Sequence, residues 1–143
     1  MAKEKILTLE QKKVLDLISK ENYLSRKFYF TGGTPLAAFY LFHRISEDLD
    51  FFSEQEIHLP SIDKFIHKLK QKLNLVKIDY VKYLGLHSFY LFFDKKNNLK
   101  IDFNYYPYPR IEKGITYKNI AVDSVYDIAV NKAHTITMKA RAR

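Results

Sequence analysis

The stretch that decides the reading is Phe28-Tyr29-Phe30-Thr31-Gly32-Gly33-Thr34-Pro35, followed one helix later by Asp48-Leu49-Asp50-Phe51-Phe52. The aromatic run from Phe28 to Thr31 has strand character, and the glycine pair ends it. Thr34 then reads as an N-cap with Pro35 at the first helical position, where a missing N–H costs nothing. Leu36, Ala37, Phe39, Tyr40 and Phe42 carry that helix to about His43. Two glycines let backbone approach a ligand closely and take positive φ without penalty. A helix start aims unsatisfied N–H groups and a positive dipole end at the same spot, which suits a phosphate. A plain strand-to-helix turn uses the same pair.

Asp48 and Asp50 are two apart on a predicted strand, so both carboxylates leave one face while Leu49 and Phe51 enter the core. Their Cα atoms are then roughly 7 Å apart, close enough to hold one or two divalent cations. A solvated strand end also carries a lone Asp-x-Asp. A second strand with matching polarity changes the balance. In Leu99-Lys100-Ile101-Asp102-Phe103-Asn104-Tyr105, apolar or aromatic residues alternate with polar ones. Asp102 therefore sits on a polar face with Ile101 and Phe103 behind it. Three carboxylates on adjacent strands repel one another unless a cation lies among them. Magnesium is the natural occupant, a hard ion with oxygen ligands that also bridges triphosphate oxygens, and manganese fits too. Asp48, Asp50 and Asp102 are thus the candidate catalytic and metal-binding residues.

Working outward, Thr8 and Gln11 form a capping-box pattern at the start of a first helix, with Leu9, Val14, Leu15, Leu17 and Ile18 as its apolar stripe. A later helix from about Ser61 to Leu73 turns Ile62, Phe65, Ile66 and Leu69 inward. Strand-like runs follow at 75–84, 88–93 and 99–105, with Lys95-Lys96-Asn97-Asn98 as the turn between the last two. After a loop holding Pro107 and Pro109, a short strand near 120–122 leads to a final helix capped by Asp123 or Ser124. This order predicts an α/β (α+β) fold with a mixed, partly antiparallel sheet flanked by helices. Residues 1–143 read as one domain without repeats or linkers. The last helix is still running at Arg143, with no Gly, Asn or Pro stop signal, so the chain is expected to be the front part of something longer.

Composition bounds the function. There is no cysteine, hence no disulfide framework and no thiolate metal site. No apolar run approaches the ~20 residues of a membrane span, and the N-terminus lacks signal-peptide character. No membrane partner and a cytoplasmic location are expected. The net charge of +8 suits polyanions such as nucleotides and nucleic acid, as well as a plain lysine-rich surface. Lys132, Lys139 and Arg143 share one helix face, which could track a phosphate backbone or simply face solvent. The Tyr105-Tyr106-Pro107-Tyr108-Pro109 run could stack RNA bases or mark a strand turning into a Pro-rich loop.

Phe30-Thr31-Gly32-Gly33-Thr34-Pro35-Leu36-Ala37, then Tyr40, His43-Arg44, Ser46 and Asp48-Leu49-Asp50-Phe51-Phe52, resembles the signature block of the AbiEii/AbiGii toxin family. These are bacterial nucleotidyltransferases of the polymerase-β-like superfamily. The resemblance implies a nucleotidyltransferase fold in which Gly32, Gly33 and Thr34 meet the triphosphate and Asp48 and Asp50 bind metal. It makes Asp102 the third carboxylate and gives Arg44 a role in ordering its loop or touching phosphate. Asp127 and Lys132 resemble a later family motif whose lysine meets the nucleotide's phosphates. A further Arg-Asp motif and a helical C-terminal region, typical of the family, would begin where this chain stops. The implied activity moves a nucleoside monophosphate from an NTP to an RNA, such as a tRNA 3′ end, or to a protein hydroxyl. The implied setting is a toxin–antitoxin or phage-defence system with an antitoxin protein as partner. The alternative is a non-catalytic module of the same fold that holds a nucleotide or RNA.

Overall fold

Alternating burial along two strands sets the layers. A computed structural model describes residues 7–41 and 48–142, with side chains in the last helix to Thr137. In it β2 (Leu49–Ser53) and β5 (Asn98–Tyr105) run parallel and adjacent, with Asp50 opposite Asp102. Leu49, Phe51, Ile101 and Phe103 are fully buried on one face, as the period-2 pattern requires.

Five more strands complete the sheet. They are β1 (Tyr29–Thr31), β3 (Lys77–Tyr83), β4 (Leu86–Phe92), β6 (Thr116–Tyr117) and β7 (Ile120–Val122), in the order β3-β4-β5-β2-β1-β7-β6. The β2–β5 and β1–β7 pairs are parallel and the other four antiparallel, so the sheet is mixed as expected. The apolar face packs on α1 (Leu9–Ser19) and α4 (Leu59–Lys72) through Val14, Leu15, Ile18, Ile62, Phe65 and Leu69. Phe30, Phe51 and Phe103 stack in a row across it, at centroid distances of 5.1 and 5.7 Å. Each such side chain contributes roughly 1.5–3 kcal/mol by leaving water.

Local signals mostly hold, with corrections. Thr8 and Gln11 make the full capping box. Leu9, expected in the stripe, is 63% exposed, and Gln11 is buried through its part in the cap. The helix α2 (Asn22–Lys27) and strand β6 were not anticipated. The hairpin turn centres on Asp94, whose carboxylate accepts from the Lys96 and Asn97 N–H groups, while Asn98 joins β5. Ser124 rather than Asp123 caps α5 (Val125–Ala142), its hydroxyl accepting from the Asp127 N–H at 3.0 Å.

The largest correction concerns Thr34. The N-cap is Gly32, at φ +88°, and the helical turn α3 (Gly33–Pro35) continues as a π-helical segment, Leu36–Leu41. Only glycine takes that φ without strain, so the helix starts two residues early and Pro35 still falls in the first turn. Thr34 is buried, and its hydroxyl donates to the Asp48 carbonyl, tying the glycine turn to the start of β2. Arg44 lies outside the described residues.

Candidate active site

The face opposite the core collects the acids. Asp50 and Asp102 are cross-strand partners in the parallel β2–β5 pair, and their carboxyl groups lie in hydrogen-bonding contact. Burial first, and then the neighbouring Asp102 carboxylate, pushes Asp50 up to about 7, with the Asp48 charge adding to the effect. Asp102 is 9% exposed and its Oδ1 is buried without a hydrogen-bond donor among the described residues. Asp48 stands exposed just before β2. Lys100 Nζ approaches Asp102 Oδ2 at 3.4 Å. Burial pulls that ammonium down, and Asp102 more than offsets it, so the net shift is upward.

Gly32 abuts this acid pair. A Cβ added there would lie 2.5 Å from Asp50 Oδ2, so the turn passes against the carboxylate only because it has no side chain. Beside it opens a cleft of about 240 Å³ lined by Gly32, Gly33, Asp50, Phe52, Asn131 and Lys132, among others. Phe52 follows Asp50 by two residues and therefore shares its face. α5 closes the far wall. The lining divides between charged groups, Asp50 and Lys132, and apolar ones, Leu36, Phe52 and Ile128. Such a division suits a nucleotide, whose phosphates and base differ in the same way.

The donor set fits a divalent cation. An orphaned buried carboxylate oxygen beside a second carboxyl held above its ordinary range is unbalanced negative charge on hard ligands. Among the described residues, however, no three His, Asp or Glu side chains stand close enough together to hold a metal ion. Asp50 and Asp102 are in contact, and the charge of Asp48, exposed just before β2, acts on Asp50.

Residues 17–143 match the family described as nucleotidyl transferase AbiEii toxin, type IV toxin–antitoxin system. The chain belongs to this family. No curated protein matches it. Among solved structures the AbiEii-family chain is similar to JHP933 from Helicobacter pylori, with a TM-score of 0.61 and 21% identity over 87% of this chain and 55% of that one. A candidate nucleotidyltransferase of H. pylori gives the same TM-score and identity, over 87% and 56%. The Megavirus polyadenylate synthase follows at 0.52 and 16%, over 84% and 26%. These likenesses are of fold, and the chain spans little more than half the length of the H. pylori structures.

Within this AbiEii-family domain the structure brings Gly32, Gly33, Asp50 and Lys132 to one cleft, with Asp102 touching Asp50. Thr34 lies behind the cleft rather than in its lining. Lys132 is exposed on the cleft wall. Asp127 has a different task. Its Oδ1 accepts from the Ile111 N–H at 2.8 Å and its Oδ2 from the Glu112 N–H at 2.9 Å, pinning the Pro-rich loop to the start of α5. Asp127→Ala should leave those donors and the Ser124 hydroxyl without their acceptor, at roughly 1–3 kcal/mol. A thermal melt should read a drop of several degrees; an unchanged Tm would show that the anchor is dispensable.

The pairing of Asn131 with Asp123 escaped the sequence reading, which saw Asp123 only as a helix cap. The Asn131 side-chain N–H donates to Asp123 Oδ2 at 3.0 Å, and burial pushes Asp123 up to about 6. The one available signal was the position of Asn131 next to Lys132, three residues beyond Ile128 on the same helix face. Tyr106, a candidate for base stacking, is instead buried against Phe52 at 4.8 Å, its hydroxyl bonded to His134 Nδ1 at 2.5 Å.

Proposed function

We propose that this chain is the nucleotide-binding and catalytic part of a toxin that moves a nucleoside monophosphate from an NTP to an acceptor hydroxyl. The observation that carries this reading is the Asp50–Asp102 pair, two carboxyls in contact beside a glycine turn with one buried oxygen orphaned. Asp48, Asp50 and Asp102 would hold magnesium, or manganese in its place. When bound, the ion neutralises the triphosphate and lowers the pKa of the attacking hydroxyl.

The chain's own groups do the rest. The Gly32-Gly33 backbone leaves room for phosphate oxygens at the acid pair. Lys132, reaching in from α5, balances charge on the departing pyrophosphate as the α–β phosphate bond breaks and the acceptor oxygen bonds to the α-phosphorus. Phe52, Leu36 and Ile128 give the nucleoside an apolar seat that keeps water away. The largest gains come from positioning and charge neutralisation. The acceptor is an RNA, such as a tRNA 3′ end, or a protein hydroxyl, and an antitoxin protein holds the activity in check. No helix among the described residues is long and apolar enough to cross a membrane, which accords with work in the cytoplasm, where these substrates are found.

Incubation with each radiolabelled NTP, magnesium and total bacterial RNA or lysate should transfer label, and Asp48→Ala should abolish the transfer while leaving the fold intact. A version extended to the length of the H. pylori structures belongs beside it. If neither transfers label while RNA binding persists unaltered by Asp48→Ala, the chain is a binding module.

A further inference from the structure

The sheet face that carries Asp50 and Asp102 extends beyond β5. The register of β3, β4 and β5 continues the same face across the sheet, pairing Lys100 with Tyr90 and Tyr90 with Asp79. One pair further out, Phe92 faces Lys77. On the opposite face Phe89, Leu91, Ile101 and Phe103 are buried in the core, so alternation sends Tyr90 and Phe92 outward, where both are half-buried. Tyr83, at the opposite end of β3 from Lys77 and one row past Asp102 on the same face, is 66% exposed. This half of the sheet therefore shows water a set of aromatic rings, contiguous with the acid pair.

Two of those rings carry cations. Lys100 Nζ lies 5.8 Å from the Tyr90 ring centroid and Lys77 Nζ 4.7 Å from that of Phe92. Each lysine also has an acid on the same face, Asp79 at 3.4 Å from Lys77 and Asp102 at 3.4 Å from Lys100. Rings with lysines over them, Lys77 exposed and Lys100 half-buried, are poor material for a protein-docking core, where lysine is depleted. They suit single-stranded nucleic acid, whose bases stack on aromatic faces while its phosphates meet the cations. The net charge of +8 works in the same direction.

We propose that the open face of β3–β5, through Tyr83, Tyr90, Phe92, Lys77 and Lys100, is a platform for single-stranded RNA that leads a terminal hydroxyl to Asp102. The proposal rests on the transferase reading for its direction, and it selects RNA over protein as acceptor. The Lys100–Tyr90 row lies two residues, roughly 7 Å, from the Asp102 row, so a strand stacked on Tyr90 has its end within reach of the acids.

The test is fluorescence anisotropy of the full chain with a labelled 12-nucleotide single-stranded RNA of mixed sequence, titrated at several salt concentrations without nucleotide. Tyr90→Ala should weaken binding roughly five- to a hundredfold, and Tyr90→Phe should restore it. Lys77→Gln should flatten the dependence of log K on log salt by about 0.7. Tyr83→Ser, on an exposed side chain, should also weaken binding and serves where Tyr90→Ala does not fold. Wild-type affinity in Tyr83→Ser and Lys77→Gln overturns the platform, as does equal competition by the duplex of the same sequence. If wild type does not bind the oligonucleotide, the proposal fails and a protein acceptor becomes the reading for this face. A magnesium- and nucleotide-dependent rise in Tm, measured on the same samples, reports on the transferase site separately. Lys77→Gln and Tyr83→Ser should leave it unchanged.

Discussion

Asp102→Asn should lower nucleotidyl transfer by at least 10²–10³-fold, the scale of losing one electrostatic stabiliser of a transition state. The same change should make the chelated protein more heat-stable. Both effects have one origin. Asp50 is held up at about 7 by burial and by the Asp102 charge, against an ordinary value of 3.8. A carboxyl whose folded pKa is raised binds its proton more tightly in the folded state, so stability falls as pH rises from about 4 to about 7. In chelator, wild type should therefore lose Tm across that window, and the loss should shrink in Asp102→Asn because half of the repelling pair is gone. Comparing the two proteins isolates this pair from carboxylates elsewhere, such as Asp94, which backbone N–H bonds pull down. Magnesium with a non-hydrolysable NTP should invert the ranking at pH 8. Ligand at a hundredfold its Kd adds about 2.7 kcal/mol to wild type and far less to the variant. Scanning calorimetry at pH 5 and 8, with and without ligand, gives all the terms. A full ligand-dependent rise in Asp102→Asn would remove Asp102 from the site.

Gly32→Ala should damage fold and site together. A residue with a side chain at φ +88° carries strain of roughly 1–3 kcal/mol. The new Cβ would also stand 2.5 Å from Asp50 Oδ2. Either the turn moves back, pulling α3 from the cleft, or the Asp50 carboxylate swings away from Asp102. The melting temperature should fall by roughly 3–12 °C, taking 3–4 °C per kcal/mol for a domain of this size. The response to magnesium and NTP should disappear. Gly33→Ala is the control. Gly33 opens the helical turn without a positive φ, so alanine there should change Tm by no more than about 0.5 kcal/mol equivalent. If Gly32→Ala melts like wild type and keeps its ligand response, the turn has more freedom than its φ indicates.

What could be read along the chain was what neighbouring residues decide among themselves. The Thr8–Gln11 box, the inward stripe of Ile62, Phe65, Ile66 and Leu69, and the two faces of β2 and β5 all follow from spacings of a few residues. So did the placing of Asp50 and Asp102 on polar strand faces, since a period of 2 admits only two directions. The joining of those two acids needed the sheet. Nothing local says that β5 lies beside β2, or that it runs parallel with Asp50 level with Asp102. Burying Leu49, Phe51, Ile101 and Phe103 against the same helices settles that register, because a slip of β5 by one residue would turn Ile101 and Phe103 away from the core. The Gly32 cap, the burial of Thr34 and Tyr106, and the pairing of Asn131 with Asp123 were likewise decided across the fold. Side-chain direction is a local property of the backbone, whereas the choice of neighbour belongs to the packed core, where distant apolar residues share one burial free energy.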